Sequence, residues 1–113
     1  MTKSGKSKSF EVLWAAVAEN DLLGILLYIA DDSPSNALKV MARIRARTAK
    51  LKHSPMQGRV VPELLSQGIS QYREVVVAPW RVIYRVEGNQ VFVLSVIDSR
   101  RNVEDVLLGR LLH

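Results

Sequence analysis

QYREVVVAPWRVIYRVEGNQVFVLSVIDSRRN, residues 71–102, holds three segments rich in β-branched and aromatic residues. They cover residues 72–78, 80–87 and 91–97. Pro79 cannot donate to a central ladder and belongs to the first turn, while Gly88-Asn89 is a two-residue hairpin signal for the second. A three-stranded antiparallel meander is expected. In its middle strand, a period of two puts Arg81, Ile83 and Arg85 on one face and Trp80, Val82, Tyr84 and Val86 on the other. Arg73, Arg81, Arg85, Arg100 and Arg101 all fall in this stretch, and each guanidinium must be hydrated, paired or offered to an anion. Two readings follow. One is a cationic sheet face displayed for binding; the other is local pairing of Arg81 and Arg85 with Glu74 or Glu87, and of Arg100 and Arg101 with Asp98.

Upstream of the meander, residues 10–14 (FEVLW) suggest a first strand. Ala18, Leu22, Ile25, Leu26 and Ile29 then line one face of a helix, with Glu19 and Asp21 in its early turns, where the dipole favours anions. Gly24 lowers the propensity of this helix by about 1 kcal/mol against alanine and suggests a close neighbour. The helix should break at Asp31, Asp32, Ser33 and Pro34, with Ser33 capping a second helix and Pro34 in its first turn. That second helix, residues 34–52, puts Ala37, Val40, Met41, Ile44, Thr48 and Leu51 on one side. Lys39, Arg43, Arg47 and Lys50 form a basic stripe on the other. Residues 54–70 are expected as a loop leading to the sheet. After the meander, Asn102 can cap a last helix whose apolar stripe is Val103, Val106, Leu107 and Leu111; at about three turns it must dock to persist.

The composition bounds the function. With 113 residues the chain forms one domain over residues 10–113, preceded by a polar basic tail at residues 1–9. Its net charge of +5 and pI near 9.9 favour anionic partners. Having no cysteine, it has no disulfide and no thiolate nucleophile or ligand, and a cytoplasmic location is expected. The longest apolar stretch, residues 22–30, is too short to cross a bilayer. His53 and His113 lack partners at ligand spacing, and no glycine-rich phosphate loop or zinc motif occurs, so neither metal nor cofactor is expected. Trp14 and Trp80 are read as packing residues.

The order of strand, helical hairpin, meander and short helix, with the segments DLLGILLYIADDSPSNA, GRVVPEL, YREVVVAPWRVIYRV and VLSVIDSRRN, resembles the RelE/ParE superfamily of type II toxins. The similarity runs over residues 10–112 and implies an α+β fold. For RelE-like members it implies ribosome-dependent cleavage of mRNA, a reaction that needs a proton acceptor, a donor and cations around the phosphate. Here Arg73 matches the first of two strand lysines of RelE, but Val75 stands at the second. Arg81 matches a phosphate-binding arginine, Asp98 falls where many relatives have histidine, and residues 103–113 contain no tyrosine. Arg73, Arg81 and Tyr84 would be the catalytic set if the chain were a ribonuclease. ParE-like members, which GRVVPEL and the stretch around Pro79 resemble more closely, inhibit DNA gyrase by binding.

The expected function is therefore that of a ParE-like gyrase inhibitor, with ribonuclease as the alternative and an inactive regulatory member as a third possibility. Target contacts are expected from Arg73, Arg81, Arg85, Arg100 and Arg101. The resemblance further implies a ParD-like antitoxin in a hetero-oligomer. Contacts to it are expected from the stripe Lys39, Arg43, Arg47 and Lys50 and from Val106 and Leu107 of the last helix.

Overall fold

Ser33 divides the helical hairpin. Its side chain accepts a hydrogen bond from the Asn36 amide at 3.2 Å while its own amide donates to the carbonyl of Ile29 at 2.8 Å. One extended residue thus ends one helix and caps the next. The computed structural model describes residues 9–112, so the basic tail expected at residues 1–9 lies, except for Ser9, outside the described residues.

The elements are β1 (Glu11–Trp14), α1 (Ala16–Asp32), α2 (Pro34–Ala49), a 3-10 turn (Lys50–Lys52), β2 (Arg59–Val60), α3 (Pro62–Leu65), β3 (Tyr72–Val77), β4 (Trp80–Glu87), β5 (Gln90–Asp98) and α4 (Val103–Leu111). The fold is α+β, as expected. The meander β3-β4-β5 is the centre of a five-stranded sheet of order β1-β5-β4-β3-β2, in which β1 joins β5 in parallel and the other pairs are antiparallel. Two short elements replace the loop expected between helix and sheet. Arg59 and Val60 pair with Glu74 and Arg73 of β3, and Pro62 starts the single turn of α3. Neither is long enough to show a period.

Both faces of the sheet are covered. The α1/α2 hairpin packs Ala18, Leu22, Val40, Ile44 and Leu51 against Val75, Val77, Val82, Tyr84, Val91 and Val93. On the other face, Leu64 of α3 and Val103 and Leu107 of α4 pack on Tyr72, Ile83 and Ile97. The side of β4 that carries Arg81, Ile83 and Arg85 is thus roofed by α3 and α4, which corrects the expectation of an open cationic face. A β-bulge where the register slips between Ile83 and Tyr84 leaves Leu94 of β5 without a direct partner and changes the parity of the strand. Val91 and Val93 lie in the hairpin-side core; beyond the bulge Val96 takes that side and Ile97 the other.

The free edge of β5 is closed by side chains. β1 pairs only as far as Val93, and beyond it the Val96 amide donates to Oδ2 of Asp21 on α1 at 2.9 Å. The same carboxylate takes two bonds from the Arg110 guanidinium, at 2.7 and 2.9 Å, and Arg110 also donates to Ser95 Oγ at 2.8 Å. One ion pair therefore fastens α4 to α1 and satisfies a strand edge. Docking by Val103, Leu107 and Arg110 is what holds this short helix.

Candidate functional site

The five arginines of the 71–102 stretch do not share one surface. Arg73 lies opposite Tyr84 in the β3/β4 ladder and so on the hairpin side, where it donates to the Gly58 carbonyl at 2.8 Å. Arg81 lies on the other side and is buried, with 6% of its surface exposed. Its guanidinium meets Glu63 of α3 through two bonds of 2.7 Å each, and its Nε donates to Glu74 at 2.6 Å. Glu74 is buried as well and accepts a further bond from Arg59 Nε at 2.6 Å. Two carboxylates and two guanidiniums thus form a closed, internally neutral cluster. The Glu63 bonds hold the Arg81 pKa above its ordinary value, and they lower that of Glu63 from 4.5 to about 2.

This arrangement corrects the expectation that Arg81 is offered to a target. The pairing alternative, Arg81 with Glu74, is the one the structure contains, and Glu63 is the partner that sequence reasoning missed. Its signal was faint: Pro62-Glu63 reads as the first turn of a helix, but four residues carry no period. Arg85 also pairs locally, with Glu87 at 3.1 Å, and lies over the Phe92 ring at 5.3 Å.

Tyr84 has no exposed surface. Its hydroxyl donates to the Pro55 carbonyl at 2.7 Å and accepts from the Gly58 amide at 2.9 Å, and burial pushes its pKa up. A phenol so placed ties the segment after α2 to the sheet. Arg73 and Tyr84 meet at Gly58 on the hairpin side, whereas Arg81 lies on the opposite face of the sheet, so the three side chains do not converge. Gly58 fits here because a Cβ would stand 2.3 Å from the Glu74 carbonyl oxygen and 2.7 Å from the Tyr84 hydroxyl.

The exposed members of the set are Arg100 and Arg101, in the turn between β5 and α4. Arg100 folds back on Asp98, donating to it from its backbone amide at 2.9 Å and from Nε at 2.8 Å. Its hydrogen bonds hold the Asp98 carboxyl at about 2, below its ordinary 3.8. Arg101 has no carboxylate within ion-pair distance among the described residues. Both arginines stand at a groove of about 780 Å³ between α1, the start of α2 and the ends of β4 and β5. Ile25, Ile29, Val40, Trp80 and Val96 supply its apolar lining, with Tyr28 at 84% exposure beside them. Gly24 also lines the groove, and nothing lies within 4 Å of where its Cβ would be. The close neighbour expected for Gly24 is thus replaced by open space. Leu23 and Leu27 extend the apolar surface over the outer side of α1. A helix apolar nearly all round has a face left to cover.

The residues expected to meet an antitoxin fall into two groups. Leu107 is buried in the chain's own core and forms no free contact surface, while Val106 packs against that core and stays half-buried. Lys39, Arg43 and Lys50 are exposed and Arg47 is half-buried, donating to Gln57 at 3.2 Å. None of these four lines the groove.

Residues 12–103 match the family described as ParE toxin of the type II toxin-antitoxin system, parDE. The chain belongs to the ParE toxin family. Among solved structures it is similar to the chromosomal ParDE toxin-antitoxin system from P. aeruginosa, with 23% identity over 81% of this chain and 98% of that one and a TM-score of 0.66. It is also similar to the toxin-antitoxin complex RelBE2 from Mycobacterium tuberculosis, with 18% identity over 82% of this chain and 94% of that one and a TM-score of 0.54. At these identities the two structures show a shared fold. No curated protein matches the chain significantly. As a ParE-family toxin of the wider RelE/ParE superfamily it has, among the described residues, no helix long and apolar enough to cross a membrane and no cluster of metal-ligating side chains.

Proposed function

We propose that this ParE-family toxin acts in the cytoplasm by binding DNA gyrase and blocking replication, and that a ParD-like antitoxin neutralises it in a hetero-oligomer. The observation that carries this reading is the closed Arg81–Glu63–Glu74 cluster. A phosphate-cleaving site needs its cations free to meet the charge that develops in the transition state. Here the arginine matched to phosphate binding is already neutralised by two carboxylates, and the Tyr84 phenol is spent on two backbone groups. Binding needs only displayed surface, which Arg100, Arg101 and the apolar groove supply.

The antitoxin is proposed to lay an apolar segment in the groove, with Trp80 and Ile25 among the groups it covers. Two features support this: the uncovered apolar face of α1, and the fact that both structural neighbours are toxin-antitoxin systems. A segment seated there would also cover Arg100 and Arg101, so one event would bury the anchors and mask the cations. Primer extension on mRNA translated with the purified toxin tests the binding mechanism against a ribonucleolytic one. Uncut transcripts are expected, and cuts at codon-defined positions would overturn the proposal.

A further inference from the structure

The positive charge of this chain is concentrated on one helix. Residues 34–52, α2 and its 3-10 turn, hold six Lys and Arg and no Asp or Glu. Residues 9–33 and 53–112 together hold seven Lys and Arg against eleven Asp and Glu, a net of −4. The body of the toxin is thus acidic with one cationic pole. Of the four carboxylates of α1, Glu19 takes Arg45 at 2.7 Å and Asp21 takes Arg110 at 2.7 Å, while Asp31 and Asp32 stand exposed at its C-terminal end and form no ion pair with the pole among the described residues. Arg45 is further held over the Trp14 ring at 4.4 Å, on the flank of α2. Lys39, Arg43 and Lys50 are exposed and have no ion-pair partner among the described residues.

At 100° per residue these three and Arg47 lie within an arc of roughly 80°, spread over roughly 16 Å of helix. Exposed Ala42, Ala46 and Ala49 flank that arc on one side. The outer side of α2 is therefore a smooth ridge, low enough for its backbone to approach a surface, with cations about one turn apart.

We propose that this ridge binds the phosphate backbone of duplex DNA, without sequence preference and separately from the apolar groove. The chemistry of the ridge selects the occupant. An acidic protein segment of the amphipathic kind needs apolar anchors, and those are in the groove, which none of the four cations lines. Single-stranded nucleic acid is held by aromatic stacking, and α2 carries no aromatic residue. The major groove of B-DNA admits an α-helix, whereas the deep, narrow major groove of duplex RNA does not. Phosphate contacts alone give affinity without base readout. Such contact would keep the toxin near DNA whether or not gyrase is its target.

Fluorescence anisotropy of a labelled 20-base-pair DNA duplex titrated with the full-length toxin tests the proposal. Three to four neutralised phosphates predict a log–log salt slope of about −3, which weakens binding about 60-fold between 50 and 200 mM salt. K39E/R43E/K50E should abolish binding, and K39A/R43A/K50A, which leaves Arg47, should bring the slope to about −1 or shallower, both with the thermal unfolding midpoint of the parent. A salt-independent affinity, binding retained by the triple glutamate variant, or equal or tighter binding of duplex RNA or a polyglutamate peptide would overturn it. Gyrase inhibition is measured separately, so failure of one assay leaves the other interpretable.

Discussion

Glu63 and Arg81 meet fork to fork, through two hydrogen bonds of 2.7 Å, across the gap between a one-turn helix and the central strand of the sheet. With Glu74 accepting from the same guanidinium, the arginine is saturated from inside the protein. In a ParE-family toxin this turns a position matched to phosphate binding into a structural strut. Partly buried charge pairs of this geometry stabilise only while both partners remain ionised.

The pair gives stability a definite pH dependence. The folded-state pKa of Glu63, about 2, lies below its ordinary 4.5, so its contribution is complete above about pH 4.5 and is lost as pH falls through 2. Discounted for the partial exposure of Glu63, it should amount to about 1–2 kcal/mol. Urea midpoints of the parent and Glu63→Gln should therefore differ at pH 6 and converge near pH 2. A difference that persists unchanged at pH 2 would contradict the assignment, and Asp98, which titrates in the same range in both proteins, cancels in the comparison.

Tyr84 and Gly58 make a second test. Tyr84→Phe removes the hydroxyl that joins the Pro55 carbonyl to the Gly58 amide, leaving both buried groups short of a partner at a cost of about 1–3 kcal/mol. Gly58→Ala should cost at least as much, since its new methyl meets backbone that has nowhere to move. Calorimetric unfolding checks both. If the hydroxyl is structural, Tyr84→Phe that is still folded keeps full toxicity; a catalytic phenol would instead give a folded but harmless protein.

Asp21→Ala should loosen one corner of the fold without melting it. The Val96 amide loses its acceptor, and Arg110 keeps only Ser95. Hydrogen exchange at Val96 and along α4 should speed up by tenfold or more, while exchange in β3 and β4 changes little. Uniform acceleration across the sheet would mean the carboxylate matters globally and not at this corner.

Gly24 separates stability from antitoxin binding. Gly24→Ala should raise helix stability by about 1 kcal/mol, because the site is open and helical. Gly24→Trp projects a large ring into the groove and should weaken antitoxin binding at least tenfold by calorimetric titration. Undiminished affinity in the tryptophan variant would place the antitoxin elsewhere.

Much of this architecture was legible in the residues. Ser33-Pro34, Pro79, Gly88-Asn89 and Asn102 punctuate the chain through local chemistry, and each stands at the boundary expected of it. What could not be read depends on long-range partners. The bulge at Leu94 reassigns Ile97 to the second core, which a straight period of two would not give. Glu63 reaches Arg81 across 18 residues and Asp21 reaches Arg110 across 89, so neither pairing leaves a local pattern. Whether the arginines of the meander are displayed or paired depends on α3 and α4 roofing that face, a docking that no local pattern states. Of the site, the sequence supplied the residue types; the structure separated those spent on packing from those left at the surface.

The most direct measurement of the central claim is plasmid supercoiling by purified gyrase titrated with the purified toxin. The account predicts that supercoiling stops near stoichiometric toxin with cleaved DNA trapped on the enzyme, that Arg101→Glu needs at least tenfold more protein, and that antitoxin restores activity. Full supercoiling in the presence of excess folded toxin would contradict it.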